Sequence, residues 1–279
     1  MKIAVLLTCF NRKEKTKKCL EHLFSQNLPV GVALQVFVCD DGSSDGTGEM
    51  LEKEFPKVIV VSGTGDLFWN GGMNLAWAKA KEFDSFDFFL WLNDDTYLEI
   101  DGLKSLLENY AKLPSPAVLI GACYDPRTKD FSFGGTNSSA PIIPNGKLQE
   151  VSLINGNLVL IPAEIDQKLN GLSSAFTHYF GDYDYGLRAQ KAGFPCYTST
   201  GYLATCESNE AVFWGDSKLP FSKRWKLVHD TKGLALREYF HFLKIHFGLF
   251  KGYKTLASVY FRVLSPSLFL GFKKSLKIH

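Results

Sequence analysis

The chain has 279 residues, with 46% hydrophobic and 22% charged content, which is enough to bury one large core or a core with an appendage. Its net charge of +2 hides an asymmetry: from Lys218 onward there are thirteen Lys or Arg against two acids, Asp230 and Glu238, so the remainder is acidic. That distribution excludes a uniformly basic nucleic-acid binder, and no nucleic acid is expected as a partner.

Residues 2–7 form an apolar first strand, too short for the core of a signal peptide, so no leader is expected. Helical spacing of Leu20, Leu23 and Phe24 predicts a helix over 13–26. A strand over 34–39, a helix over 46–54 and a strand over 57–61 follow. A helix then begins at Asn70 or Gly71 and runs to Phe83. Residues 86–92 are apolar except for Asp87, as a central parallel strand should be. A helix over 101–113 and a strand over 117–122 complete an alternation that predicts a doubly wound, mostly parallel α/β sheet. Residues 123–156 are rich in Gly, Ser, Asn and Pro, with short strands at 131–133 and 149–154; they read as an insertion on the acceptor side. A strand over 157–161 and a helix over 182–192 come next, and the chain from Pro220 looks helical. The six cysteines show no Cys-x-x-Cys spacing, so free thiols in a reducing compartment are expected. The apolar run 255–272 is broken by Arg262 and Pro266, which disfavours a membrane span.

Two acidic clusters follow strand-like runs. Residues 39–47 read Cys-Asp-Asp-Gly-Ser-Ser-Asp-Gly-Thr, and residues 93–96 read Asn-Asp-Asp-Thr. The C-terminal edge of an open α/β sheet is where ligands bind, and paired carboxylates there suit a divalent cation, Mn2+ or Mg2+, and a phosphorylated ligand. The loop after the first strand, Thr8-Cys-Phe-Asn-Arg12, has no glycine, which weighs against dinucleotide binding and nucleotidyl transfer; Thr8 and Asn11 can hydrogen-bond a nucleoside, or Asn11 can cap the next helix. Asp182 and Asp184 open the last helix of the alternating region. Either is a candidate general base, and Arg188 can pair with one of them.

In this order the motifs resemble family-2 glycosyltransferases of the GT-A fold. The resemblance rests on Thr8–Arg12, Val38–Thr47, Asn70-Gly-Gly-Met-Asn74, Asn93-Asp-Asp95 and Gly181-Asp-Tyr-Asp184 with Arg188, and covers roughly residues 1–205. It implies a GT-A domain over 1–217, with a Rossmann-like nucleotide-sugar half over 1–122 and an acceptor half over 123–217. The basic, aromatic helical tail over 218–279 follows. The implied activity is metal-dependent, inverting sugar transfer from a nucleotide-diphosphate donor, dTDP-rhamnose or a UDP-sugar. The implied acceptor is a hydroxyl of a growing bacterial surface glycan, lipid-linked. Trp69-Asn-Gly-Gly72 and Trp91-Leu-Asn-Asp-Asp95 resemble the rhamnosyltransferases of this group.

By position, the resemblance assigns Thr8 and Asp41 to the nucleoside, with Asp41 on the base, and Asp94 to the ribose. Asn11, Arg12, Asp66 and Asn74 complete the candidate donor set. Asp95 is the metal ligand, with His229 a candidate second one, and Asp182 is preferred over Asp184 as base. Two positions depart from the family pattern: Asn93 stands first in the metal motif, and Gly181 stands where an acid usually precedes the base. The alternative from another class is a non-catalytic nucleotide- or glycan-binding protein on the same scaffold. The aromatic run 176–180 and residues 134–156 are expected to line the acceptor site. The tail interleaves Lys223, Arg224, Lys226, Lys244, Lys251, Lys254, Lys273 and Lys274 with Phe, Tyr and Leu. That pattern suits an anionic membrane surface, a solvated appendage or a homodimer contact, and places the protein in the cytoplasm or at the inner face of the membrane.

Overall fold

The computed structural model describes residues 1–137, 140–208 and 212–269. In chain order the elements are β1 (Lys2–Cys9), α1 (Lys13–Phe24), β2 (Ala33–Asp40), α2 (Thr47–Glu54), β3 (Ile59–Ser62), α3 (Phe68–Phe83) and β4 (Phe88–Leu92). Then come β5 (Tyr97–Leu98), α4 (Gly102–Tyr110), β6 (Val118–Tyr124), β7 (Phe131–Phe133), β8 (Thr136–Asn137), β9 (Ala140–Pro141) and β10 (Gln149–Glu150). The last are β11 (Leu158–Pro162), α5 (Ala163–Leu169), α6 (Gly181–Lys191), β12 (Cys196–Thr205), α7 (Phe221–His229), α8 (Leu236–Phe247) and α9 (Leu249–Leu264).

The main sheet runs β10-β12-β6-β11-β4-β1-β2-β3, with β5 on β12 and β7 on β6. Strand alternation divides its two faces. Ile3, Val5, Leu7, Leu90 and Leu92 pack with Cys19, Leu20 and Leu23 of α1 and Leu103 and Leu106 of α4. Ala4, Leu6, Phe89 and Trp91 pack on the other side with Met73, Ala76 and Trp77 of α3, Ile165 of α5 and Tyr185 of α6. These strands are apolar on both faces because helices cover both.

β1 pairs in parallel with β2 on one side and β4 on the other. The chain builds outward through β2 and β3, then returns to lay β4 against the far side of β1. The crevice beyond the ends of β1 and β4 is therefore a topological switch point, the usual ligand position in such sheets. β11 enters antiparallel between β4 and β6, so that Leu158 lies opposite Leu92 and the residues before β11 stand beside those after β4. The sequence predicts the strand but not its direction, because a short apolar run looks the same either way. β12 is an addition. Its Thr, Ser and Gly content and its register shifts between Thr198 and Ala204 obscure any alternation.

The described cysteines are all free and buried. Among the described residues no helix is long and apolar enough to cross a membrane.

The chain divides into two compact units, Met1–Ser174 with Gly181–Ser208, and Ala175–Phe180 with Asn209–His279. The break falls before the expected boundary at residue 217, and a short piece of the acceptor half belongs to the helical unit. In that unit Phe180 stacks on Tyr239 and Phe242, and the Thr177 amide donates to Glu238 at 3.0 Å. Phe176, expected to line an acceptor site, is a buried core residue against Phe242. Val228, Leu236, Val259 and Val263 form the unit's own small core. Lys273 and Lys274 lie outside the described residues.

The first unit's aromatic cluster makes a stability prediction. Trp77 is fully buried, with its ring centroid 5.7 Å from both Trp91 and Tyr185. Trp77→Ala should destabilise the protein by about 3–5 kcal/mol through lost transfer energy and an unfilled cavity. Urea denaturation followed by fluorescence would measure it, and a loss below about 1 kcal/mol would contradict this packing.

Candidate active site

The loops after β1 and β4 meet across the switch point. Arg12, just before α1, donates from Nη1 to Asp94 Oδ1 at 2.6 Å and from Nη2 to Asp95 Oδ2 at 2.8 Å. One guanidinium fork thus joins the two acids that follow β4, and such paired charge-assisted bonds are strong and directional. Asp94 is buried. Burial pushes its carboxyl up to about 7, against the opposing pull of Arg12 and with a further push from Asp95.

This is a seat for a cation, and the guanidinium is its present occupant. Hard carboxylate oxygens on the end of a rigid strand also fit Mg2+ or Mn2+. Among the described residues no group of three His, Cys, Asp or Glu could hold a metal alone. Two carboxylates plus ligand phosphates are a common arrangement for Mg2+.

The loop after β4 is braced from four directions. Trp69 Nε1 donates to Asn93 Oδ1 at 2.7 Å, and Asn93 N donates to Asn157 O at 3.0 Å. Cys19 Sγ donates to Asn93 O at 3.3 Å. Asn157 Nδ2 reaches Thr96 Oγ1 at 3.1 Å and Cys206 Sγ at 3.2 Å, and Cys206 Sγ in turn faces Asp95 Oδ1 at 3.8 Å. The asparagine in the first motif position therefore receives an indole N–H and fixes the loop that carries the two acids. Trp69, Asn157 and Cys206 escaped sequence reasoning. The Trp-Asn-Gly-Gly string carried a signal for Trp69; Asn157 and Cys206 carried none.

The same frame reaches Asp182. Gly156 N donates to Asp182 Oδ2 at 3.0 Å, while Tyr183 N donates to Oδ1 at 2.8 Å. Burial raises the Asp182 carboxyl to about 6, with the backbone hydrogen bonds holding it back. Asp184 differs. It is buried and paired with Arg188 Nε at 2.7 Å, and the same guanidinium donates to the Leu169 and Gly171 carbonyls. The ion pair lies within α6, and the carbonyl bonds of Arg188 tie that helix to the end of α5, which gives Asp184 a structural partner that Asp182 lacks. Gly181 also has a steric reason. A Cβ there would collide with the Asn70 side-chain carbonyl, which excludes the acid the family usually places before the base.

The remaining candidates mostly build loops. Asp41 is buried, and its carboxylate accepts from Gly65 N at 2.8 Å, Leu67 N at 2.9 Å and Phe68 N at 3.1 Å. Three backbone donors thus shape the loop around the carboxylate expected to contact the base. Asn11, at φ 51°, accepts from Ser44 N at 2.7 Å and donates its own N–H to Ser43 Oγ at 2.9 Å, joining the loops after β1 and β2. Thr8 packs directly on Gly72 of α3, where a Cβ would overlap it. Asn74 clamps Leu172, accepting from its N–H and donating to its carbonyl, each at 3.0 Å. Asp66 is exposed and accepts from Thr64 Oγ1 at 2.5 Å. His229 lies in the helical unit, with Nδ1 donating to Trp225 O at 2.9 Å and Nε2 3.4 Å from the Tyr260 hydroxyl. Trp225 shares α7 with His229, while Tyr260 lies on α9.

A mostly parallel sheet with carboxylates gathered at its switch point defines an open α/β domain with a ligand crevice at that point. The sequence model of Glycosyl transferase family 2 matches residues 4–159, and the chain belongs to that family. Over 113 residues it is 27% identical to a chondroitin synthase of Pasteurella multocida, covering 39% of this chain and 11% of that protein. Over 130 residues it is 28% identical to a poly-beta-1,6-N-acetyl-D-glucosamine synthase of Staphylococcus epidermidis, covering 47% and 30%. The matches thus span less than a third of these relatives' own lengths. Among solved structures, the mannosyltransferase PcManGT from Pyrobaculum calidifontis in complex with GDP-Man and Mn2+ aligns with TM-score 0.55 and 15% identity, over 99% of this chain and 80% of that one. S. aureus TarS in complex with UDP-GlcNAc aligns with TM-score 0.56 and 16% identity, over 94% and 73%. The fold is that of GT-A glycosyltransferases.

The bonds to Asp41 make a prediction. In Asp41→Asn one oxygen becomes an N–H donor, so at least one of the three amides loses its acceptor. A loss of about 1–3 kcal/mol is expected for a buried group left unpaired. Denaturant midpoints would report it, and an unchanged midpoint with weakened nucleotide binding would assign Asp41 to the base contact alone.

Proposed function

We propose that the chain is an inverting glycosyltransferase that moves a sugar from a nucleotide-diphosphate donor to an acceptor hydroxyl. The observation that carries this reading is the shared frame: Gly156 holds Asp182 while its neighbour Asn157 holds the loop of Asp94 and Asp95. Base and cation seat are thus set by one stretch of backbone. Family membership supports the donor class. The names of the synthase relatives support a growing glycan as acceptor. The Trp-Asn-Gly-Gly and Trp-Leu-Asn-Asp-Asp strings favour dTDP-rhamnose, with UDP-sugars as the second choice.

Asp95 and Asp94 would hold a divalent cation together with the donor diphosphate, and Asp94 would face the ribose. When bound, such an ion stabilises the negative charge that develops on the leaving diphosphate. Thr8, Asn11, Asp66 and Asn74 line or support the nucleoside side, and Asp41 shapes it through the loop from Gly65 to Phe68. Asp182 takes the proton from the acceptor hydroxyl as that oxygen attacks the anomeric carbon from the face opposite the diphosphate. The new C–O bond forms as the bond to the diphosphate oxygen breaks, which inverts the configuration. A carboxyl raised to about 6 is ionised at neutral pH and is a stronger base than an exposed aspartate.

The end of the α8–α9 hairpin supports a membrane-proximal acceptor. Phe247, Leu249, Phe250 and Tyr253 are exposed there, Phe250 at 84%, beside Lys244, Lys251 and Lys254. Large apolar groups among lysines suit the interface of an anionic bilayer carrying a lipid-linked glycan. In flotation, wild type should rise with vesicles containing phosphatidylglycerol, and Leu249→Ser/Phe250→Ser should lose most of that recovery. Equal recovery of both proteins would remove the membrane reading.

Asp182 carries the kinetic test. In Asp182→Asn, kcat should fall by roughly 10²–10⁴ while nucleotide binding by calorimetry is retained. In wild type, a base whose pKa is raised is lost as pH falls through that value. The acid limb of kcat should therefore bend near pH 6 and disappear in the residual activity of the variant. Nucleotide binding with unchanged turnover in Asp182→Asn would assign the base elsewhere, and binding without turnover in wild type would favour a binding module.

A further inference from the structure

Arg12 is held in an unusual way. Its backbone is fixed on both sides: Asn11 is tied to Ser43 and Ser44, Lys13 N donates to Asp45 Oδ2 at 3.0 Å, and the Arg12 carbonyl accepts from Thr16 N at 2.9 Å. Its side chain bonds Asp94 and Asp95. It is 38% exposed, whereas the Asp94 and Asp95 side chains it joins are 4% and 16% exposed. The guanidinium therefore closes a largely buried carboxylate pair from its solvent side. The pair needs a cation, since two neighbouring carboxylates removed from water repel each other and lose hydration. Asp95 gives one oxygen to Arg12 and faces Cys206 Sγ with the other. A divalent ion and the guanidinium cannot share these oxygens without placing like charges in contact.

We propose that Arg12 is an internal cation that fills the Asp94–Asp95 seat until a metal-bound nucleotide diphosphate displaces it, and that the freed guanidinium then binds the diphosphate. This rests on the metal reading of the proposed function and adds a coupling to it. Metal alone must expel Arg12 and gains nothing from the expelled side chain. Metal arriving with a diphosphate gives the guanidinium a new anionic partner, and guanidinium matches phosphate oxygens well. Metal and nucleotide therefore bind cooperatively, each strengthening the other by the same factor. Arg12 would suppress metal uptake by the empty site and favour it in the presence of donor.

The test measures Mn2+ binding to the full chain by electron paramagnetic resonance, with Mn2+ alone and with Mn2+ plus saturating UDP or dTDP. Wild type, Arg12→Gln and Arg12→Lys are compared. In Arg12→Gln, Mn2+ alone should bind about tenfold or more tighter than in wild type, because no cation must leave the seat. The factor by which nucleotide strengthens Mn2+ binding should shrink about tenfold or more, within the usual range of coupling between sites. Arg12→Lys keeps the charge but loses the fork, and should fall between the two. Mn2+ should also raise the thermal midpoint of Arg12→Gln more than that of wild type, since it compensates two carboxylates left without a partner. If Arg12→Gln does not fold, Arg12→Lys carries the same comparison. Wild-type Mn2+ binding with unchanged or weaker metal-alone affinity in the folded variants would overturn the role given to Arg12. No Mn2+ binding by any of the proteins, with either nucleotide, would instead overturn the metal reading.

Discussion

Two adjacent carboxylates at the buried end of a central strand need a cation. Asp94 and Asp95 stand where β4 meets the switch point, with little water to solvate them, and the structure answers that demand with Arg12 from the other side of the crevice. Much else serves to keep this arrangement fixed. β4 is sealed on both faces, so the acids cannot retreat. Asn93 is braced by Trp69, Asn157 and Cys19, and Arg12 is anchored by the loop after β2. A site that stabilises developing charge depends on such preorganisation, because groups already in place need not rearrange during reaction.

The second constraint is the antiparallel insertion of β11. By running against β4, it brings Gly156 and Asn157 beside Asn93 and beside the start of α6. Asp182 and the acid pair are then referenced to one backbone segment although they lie far apart in sequence. Glycine is needed at 156 because the Trp69 indole occupies the space a Cβ would take, and at 181 because Asn70 does. Both glycines therefore belong to the packing of α3 against the site. The departure at 181 and the substitution of Asn93 share a logic: each trades an acid for close contact or a neutral hydrogen bond. Asp182 is consequently left among backbone N–H donors, and burial is free to raise its basicity.

Much of this was legible in the chain. The alternating apolar runs of β1, β2 and β4 mark buried parallel strands, and the acids placed just after them mark the ligand edge. What stayed hidden was set by tertiary contact. The direction of β11 depends on its neighbours, and β12 disguises its strand character with a bulge and polar residues. Arg12 and Asp94 are 82 residues apart, so nothing local pairs them. The paired acids at Asp40 and Asp41 exceed what a turn requires, but nothing local shows that Asp41 also accepts from the amides of Gly65, Leu67 and Phe68. Asp182 and Asp184 both open α6, and their surroundings differ: backbone N–H donors at Asp182, the Arg188 guanidinium at Asp184.

The central claim is that the acid pair binds a metal–nucleotide donor so that a sugar can leave. Its most direct test is donor hydrolysis by the full chain, with Mn2+ or Mg2+, across dTDP-rhamnose and UDP-sugars, in wild type and Asp95→Ala. The account predicts metal-dependent release of nucleotide from one donor by wild type, lost in Asp95→Ala along with metal-dependent nucleotide binding. Wild type that neither hydrolyses any donor nor binds any of the nucleotides in a metal-dependent way would contradict it.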